Sequence, residues 1–337
     1  MKKIIITGGA GYIGSHTAVA LQESGFDVVV FDNLSNSSVE SLDGVARITG
    51  ARPVFEHIDC TDSVALRDAF ARHRDAVGVI HFAALKAVGE SVQQPLLYYR
   101  NNLDGLLNVL NCMIEFGVSN IVFSSSATVY GVPTVLPVTE ETPLQPATSP
   151  YGQTKVIGET IIRDTVSAHS GVNATLLRYF NPIGVHPSGL IGERPSGIPN
   201  NLMPYITQTA AGIRPVLKVF GNDYDTPDGF CIRDYIDVND LAAAHVAALR
   251  NMLSGATGLS VFNLGTGRGY SVMELINAFQ AATGVNVPYE IVGRRDGDVP
   301  AIWADASLAG RVLDWHADTP LSDTLLSAWR WQQKKLK

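Results

Sequence analysis

A chain of 337 residues, 46% of them hydrophobic, can bury one large or two moderate cores. Its formal net charge of −7, with no basic run before Lys334-Lys335, argues against a nucleic-acid-binding surface. No stretch approaches the ~20 apolar residues of a membrane span, and the apolar run after Met1-Lys2-Lys3 is too short for a signal sequence, so a cytoplasmic protein off the membrane is expected.

The first element is a β-branched run at residues 3–7, which leads into Gly8-Gly9-Ala10-Gly11-Tyr12-Ile13-Gly14. A helical pattern follows over 15–24, ended by Gly25, then a strand at 27–31 and the pair Asp32-Asn33. Strand, glycine turn, helix, strand and acid form the context of the dinucleotide fingerprint. Gly8 permits the tight turn, Gly11 lets the backbone approach a pyrophosphate, and Gly14 lets helix and strand pack closely. The helix N-terminus then faces the phosphates with free N–H groups and the positive end of its dipole. Asp32 can accept hydrogen bonds from an adenosine ribose and would repel a 2′-phosphate, which favours NAD over NADP.

Further strands are predicted at 54–57, 78–82, 120–124 and 175–179, with helices at 63–73, 96–116 and 151–170 between them. Such alternation predicts a doubly wound parallel α/β sheet of the Rossmann type, covered on both faces. Residues 182–232 are rich in Gly, Pro and Asn, with a helix expected only at 203–212. A helix at 240–253, capped by Asn239 or Asp240, and a strand at 260–264 return to the first domain. Ser271-Val272-Met273-Glu274 then opens another helix with a capping box. The expected organisation is an NAD-binding domain of residues 1–181 plus about 236–266, and a smaller discontinuous α/β substrate domain of 182–235 and 267–337.

Tyr151 and Lys155, four apart behind Pro150, share one helix face about one turn apart. A cation beside a phenol stabilises the phenolate, which makes tyrosine a usable base near neutral pH. Ligands of such sheets sit outside the carboxyl ends of the strands. Phe82-Ala83 after the fourth strand, Ser124-Ser125-Ser126 after the fifth and Tyr179-Phe180-Asn181 after the sixth therefore converge on the crevice that Tyr151 and Lys155 address. Asp59, at the end of the third strand, is placed to bond an adenine amino group. His16 and His81 lack triad-like partners and read as structural. Cys60, Cys112 and Cys231 are odd in number and lack ligand spacing, so they read as free thiols, and no metal is expected.

The Gly-x-x-Gly-x-x-Gly spacing together with Tyr-x-x-x-Lys resembles the extended short-chain dehydrogenase/reductase superfamily. Ser124-Ser125-Ser126-Ala127-Thr128-Val129-Tyr130-Gly131, Arg178-Tyr179-Phe180-Asn181-Pro182 and the segments 7–16, 82–91, 198–204, 233–236 and 303–305 are similar to the UDP-glucose 4-epimerase family over nearly the full length. The resemblance implies reversible inversion at C4 of a UDP-hexose through a 4-ketone, with a homodimer as the assembly. It gives Tyr151 the role of base and has Lys155 hold the cofactor ribose, while Ser126 bonds the substrate oxygen. Along NAD it places Gly8, Gly11, Tyr12, Ile13, Gly14, Asp32, Asn33, Asp59, Phe82, Ala83, Lys86, Asn101, Ser124 and Tyr179. On the UDP-sugar it places Asn181, Asn201, Leu202, Phe220, Arg233, Arg295 and Asp298, with Ile302 lining the sugar pocket. Family members carry tyrosine or a small residue at that last position, so the isoleucine departs from both patterns. A 4,6-dehydratase would need an Asp-Glu pair after Thr128, and Val129 stands there instead. A UDP-glucuronate or UDP-N-acetylhexosamine epimerase remains an alternative, as does, from another class, a non-catalytic NAD-sensing module. Such modules lose Tyr or Lys, and both are present here.

Overall fold

The computed structural model describes residues 1–194, 199, 201–295 and 297–335. Six strands, β1 (Lys3–Thr7), β2 (Asp27–Asp32), β3 (Val54–His57), β4 (Ala76–His81), β5 (Asn120–Ser126) and β6 (Asn173–Tyr179), are joined by a seventh, Leu259–Leu264. They form one sheet in the order Leu259–Leu264, β6, β5, β4, β1, β2, β3, and every neighbouring pair is parallel. The direction of winding reverses between β1 and β4, which opens a crevice at their carboxyl ends.

Alternation along the strands explains the two covering layers. Ile4, Ile6, Val28 and Val30 face a core shared with helix α1 (Tyr12–Glu23) and helix Val238–Leu253. Ile5, Val29 and Phe31 face the opposite core, built on helices Ser63–Arg72, Gly105–Phe116 and Pro150–Ala168. A further core forms where helices Leu202–Ala210, Val272–Thr283 and Leu321–Lys334 meet the short parallel pair Leu217–Phe220 and Tyr289–Val292. The capping box at Ser271 and Glu274 is complete in both directions.

Three elements differ from the sequence reading. The helix expected over 96–116 is split into Pro95–Tyr99, a π-turn at Arg100–Asp104 and Gly105–Phe116. At that turn the buried Asn102 reaches out to bond the Leu85 backbone and the Thr154 hydroxyl, and such bulges recur at functional sites. The cap of helix Val238–Leu253 is Asp237, not Asn239 or Asp240, because the Asp237 carboxylate accepts the Asn239 amide at 2.7 Å. Strand β5 continues through the serine run instead of stopping at Ser124, since Ser124, Ser125 and Ser126 pair in register with Leu177, Arg178 and Tyr179.

Candidate active site

At the end of β1 the chain turns at Gly8 with φ +70°, and a Cβ there would lie 2.8 Å from the Ala83 nitrogen. A Cβ on Gly14 would stand 2.5 Å from the Gly8 carbonyl oxygen. Both glycines are therefore required by the approach of two backbones. A Cβ on Gly11 would meet only the Gly8 oxygen, at 3.2 Å. Gly11 also caps α1 without a side chain, so the amides of Tyr12 and Ile13 stand at an entry with no side-chain cap. This is a cradle of the shape and polarity that a dinucleotide pyrophosphate fits. Tyr12 turns its phenol away, donating to the Gly184 carbonyl at 2.6 Å.

Asp32 closes β2 and is buried; its carboxylate accepts from the amides of Ala10 and Leu34 and from Ser37 Oγ. One residue thus ties the glycine turn to the segment after β2, with acceptor capacity left for a ribose hydroxyl. Asn33 donates to Asp59 at 2.9 Å, and Thr61 gives Asp59 two more hydrogen bonds. Burial raises the Asp59 pKa, but those bonds outweigh it and hold the carboxyl below its ordinary range. Asp32, Asn33 and Asp59 therefore stand side by side at the end of β2 and just past β3.

On the other side of the glycine turn, the Phe82 amide donates to the Thr7 carbonyl at 3.0 Å, which sets Phe82 and Ala83 against Gly8. Asn101 spends its side-chain amide on Asn102. Lys86 pairs with Glu193 at 3.4 Å, and the same Glu193 oxygen accepts from Asn201 at 2.7 Å. Sequence reasoning did not single out Glu193. It lies 107 residues from Lys86, and the eight-residue step to Asn201 carries no pattern that marks it.

Helix Pro150–Ala168 starts with Pro150 in its first turn and is capped by the Ser149 hydroxyl, which accepts the Gly152 amide at 3.1 Å. This presents Tyr151 and Lys155 to the end of β5. Ser126 lies near enough to the Tyr151 phenol to lower its pKa, and its hydroxyl accepts the Thr128 amide at 3.2 Å. Lys155 is buried, donates to the Ser124 carbonyl at 2.6 Å and lies 5.8 Å from the Tyr151 ring centroid. Ser124 in turn bonds the Tyr179 hydroxyl. Burial pushes the Tyr151 phenol up to about 12, with Ser126 pulling it down. Burial also lowers Lys155 to about 8, opposed by Glu159. The ammonium is spent on a backbone carbonyl, and desolvation dominates both groups. His16 and His81 are buried, bonded to the Tyr12 carbonyl and the Thr7 hydroxyl, and pushed by burial down to about 3; both are neutral structural groups.

The expected UDP-contact residues gather on other segments. Arg295 makes a two-pronged contact to Asp298, at 2.7 and 3.1 Å, and stacks over Phe220 at 5.6 Å. Arg233 approaches the same carboxylate at 3.6 Å. Two guanidinium groups sharing one carboxylate leave a net positive charge suited to a diphosphate. Ile302 lies opposite Arg233 in a short parallel pairing and packs in one cluster with Ala127 and Phe180. It bridges the arginine end and the serine-tyrosine end. Leu202 opens the helix that Asn201 precedes, and the Asn181 amide bonds the Asp234 carbonyl. Ile198 and Asn200 of the 198–204 motif lie outside the described residues.

Comparison with known proteins identifies the family. A family model described as "NAD dependent epimerase/dehydratase family" matches residues 4–265. The chain is 53% identical to UDP-glucose 4-epimerase of Bacillus subtilis (strain 168) over 333 residues, covering 99% of this chain and 97% of that one. It is 52% identical to the Homo sapiens UDP-glucose 4-epimerase over 339 residues, covering 99% and 97%. The crystal structure of the Bifidobacterium longum UDP-glucose 4-epimerase, in complex with NAD+ and UDP, superposes with a TM-score of 0.96 at 47% identity and 99% coverage of both chains. With its glycine cradle and its paired Tyr151 and Lys155, the chain belongs to the NAD dependent epimerase/dehydratase family and groups there with the UDP-glucose 4-epimerases.

Proposed function

We propose that this protein inverts C4 of UDP-hexoses reversibly, interconverting UDP-glucose and UDP-galactose through a 4-ketone. The observation that carries the reading is the meeting of Tyr151, Ser126 and Lys155 at the end of β5, beside the glycine cradle. Bound NAD supplies the acceptor and then the donor of the C4 hydride, and in its oxidised form a positive charge near the phenol. Tyr151, as phenolate, takes the 4-hydroxyl proton and later returns it. Ser126 donates to the 4-oxygen as it becomes a carbonyl, and Lys155 holds the cofactor ribose. Gly8, Gly11, Tyr12, Ile13, Gly14, Asp32, Asn33, Asp59, Phe82, Ala83, Lys86, Asn101, Ser124 and Tyr179 are assigned to the cofactor. Asn181, Asn201, Leu202, Phe220, Arg233, Arg295 and Asp298 are assigned to the UDP-sugar. The ketone has to present its other face before reduction, so the chain must hold UDP firmly and the hexose loosely. The charged groups at Arg233 and Arg295, set against the apolar Ile302, Ala127 and Phe180, support that division.

The test is to incubate the pure protein with UDP-glucose and resolve UDP-galactose. Because each turnover oxidises and re-reduces the same carbon, the protein should purify with NAD or NADH already bound, and activity should need none added. Steady release of NADH during turnover would mark a dehydrogenase instead.

Ile302 is 6% exposed and branched at Cβ, so it leaves more room than a tyrosine yet cannot yield by changing rotamer. UDP-N-acetylglucosamine should therefore be epimerised detectably but more slowly than UDP-glucose. Ile302→Tyr should suppress the N-acetylated substrate selectively and Ile302→Ser should favour it. An unchanged activity ratio across the three proteins would remove Ile302 from the role.

The NAD-binding unit is assigned to residues 1–181 plus about 236–266 and the UDP-sugar unit to 182–235 and 267–337. A homodimer is the assigned assembly. Val92 and Leu96, 61% and 81% exposed, offer an apolar face on consecutive helices that a second copy would cover. No helix among the described residues is long and apolar enough to cross a membrane. Cys60, Cys112 and Cys231 are free and buried, in keeping with a reducing cytoplasm.

A further inference from the structure

One turn beyond Lys155, on the same helix, Glu159 is buried and its carboxylate is gripped from two strands. Arg178 of β6 forks onto it at 2.8 and 2.6 Å, and Ser125 of β5 donates to it at 2.5 Å. Each holder is the immediate neighbour of an active-site group. Ser125 stands between Ser124 and Ser126, and Arg178 precedes Tyr179. The far side of Arg178 is fixed too, through Tyr130 at 3.1 Å, whose hydroxyl donates to Asn263 of the seventh strand at 2.6 Å.

A buried ion pair gives little net stability over well-packed apolar residues of the same volume, so its presence at this spot calls for another reason. The reaction proposed above supplies one. Lys155 has to remain an ammonium in a pocket that strips its solvation. The ionisable groups facing the Tyr151–Lys155 pair are His81 from β4, Tyr179 from β6, Tyr98 from the helix after Gln94, and Glu159 from their own helix. His81 is neutral and both tyrosines are pushed up by burial, so Glu159, held by Arg178, is the anion among these groups.

We propose that Glu159 is a positioning residue for the epimerisation: clamped by Arg178 and Ser125, its carboxylate keeps Lys155 charged and locks the ends of β5 and β6 in register with Tyr151. The assignment rests on the functional reading above, but its first test does not need turnover. In protein labelled with ¹⁵N-lysine, the Lys155 Nζ resonance, assigned by its loss in Lys155→Met, is titrated by NMR. Burial already lowers this group to about 8, against the pull of Glu159. Glu159→Gln should move the midpoint lower again, by roughly one pH unit. An unchanged or higher midpoint overturns the proposal.

In turnover, Glu159→Gln should lower kcat roughly 10-fold or more with KM for UDP-glucose unmoved, because only the reacting end is displaced. Its activity should fall at a lower pH on the alkaline side, where Lys155 loses its proton. The double variant Glu159→Leu/Arg178→Met separates this from a structural role. It should melt near the wild-type temperature yet keep the low kcat. A double variant with wild-type kcat and pH profile would show that the pair serves packing alone. Wild-type protein that fails to convert UDP-glucose would sink the functional reading instead, and the titration would still decide the charge coupling.

Discussion

Tyr151→Phe should bind NAD and UDP as the wild type does and turn over at least ~10²-fold more slowly, the lower end expected for loss of a general base. The fold has small cause to object. The ring stays in place and only the hydroxyl leaves, so the packing around it is kept. The cofactor cradle and the arginine end are built from other segments, so KM and bound NAD should hold while kcat collapses. At about 12, roughly one phenol in 10⁵ is ionised at pH 7, so the phenolate depends on added positive charge. Lys155 is the cation the chain supplies. Lys155→Ala should therefore be slow as well, and its pH optimum should rise, because a phenol without its nearest cation ionises at higher pH. Near-normal turnover by Tyr151→Phe in the UDP-galactose assay, at wild-type NAD content, would remove Tyr151 as the base.

Gly14→Ala should cost the protein both its cofactor and much of its stability, whereas Gly11→Ala should cost chiefly the cofactor. The added methyl at Gly14 would stand 2.5 Å from the Gly8 oxygen and 2.7 Å from the Gly9 Cα. Backbone atoms cannot swing aside, so α1 has to shift off the sheet, at about 1–3 kcal/mol or more. At Gly11 the nearest atom is 3.2 Å away, and a small adjustment accommodates the methyl. What it fills is the space a pyrophosphate needs. Melting temperature and the absorbance of bound dinucleotide, read on both variants, separate the cases. Equal loss of stability in the two would refute the distinction.

The sheet and the nucleotide end were legible because their signals are local. β-Branched runs, three glycines at fixed spacing and an acid after the second strand each reflect one turn or one strand. Tyr151 and Lys155 were legible for the same reason, a single helical turn. Glu159, Arg178 and Ser125 form one cluster from three distant segments, so no window of sequence contains it. Asn102 escaped because the π-turn that aims it comes from tertiary contacts with Leu85 and Thr154, which override an otherwise regular helical pattern. The surroundings of the Tyr151 phenol escaped for a related reason. A spacing of four reveals a neighbouring cation but not how deeply both groups are buried.

The last-arriving strand of the sheet carries a consequence for how the protein is made. Leu259–Leu264 pairs with β6 from Ala174 onward, across a gap of 85 residues as measured at the neighbouring Gly258–Asn173 contact. Until the ribosome has delivered residue 264, β6 stands as an open edge with Leu176 and Leu177 in its middle. A nascent chain must hold that apolar edge unpaired for the several seconds that 85 residues take at about 5–20 residues per second. The vulnerable period in this protein's life is therefore late in translation, and a chain cut short before residue 259 is a template for strand-to-strand aggregation rather than a smaller working enzyme.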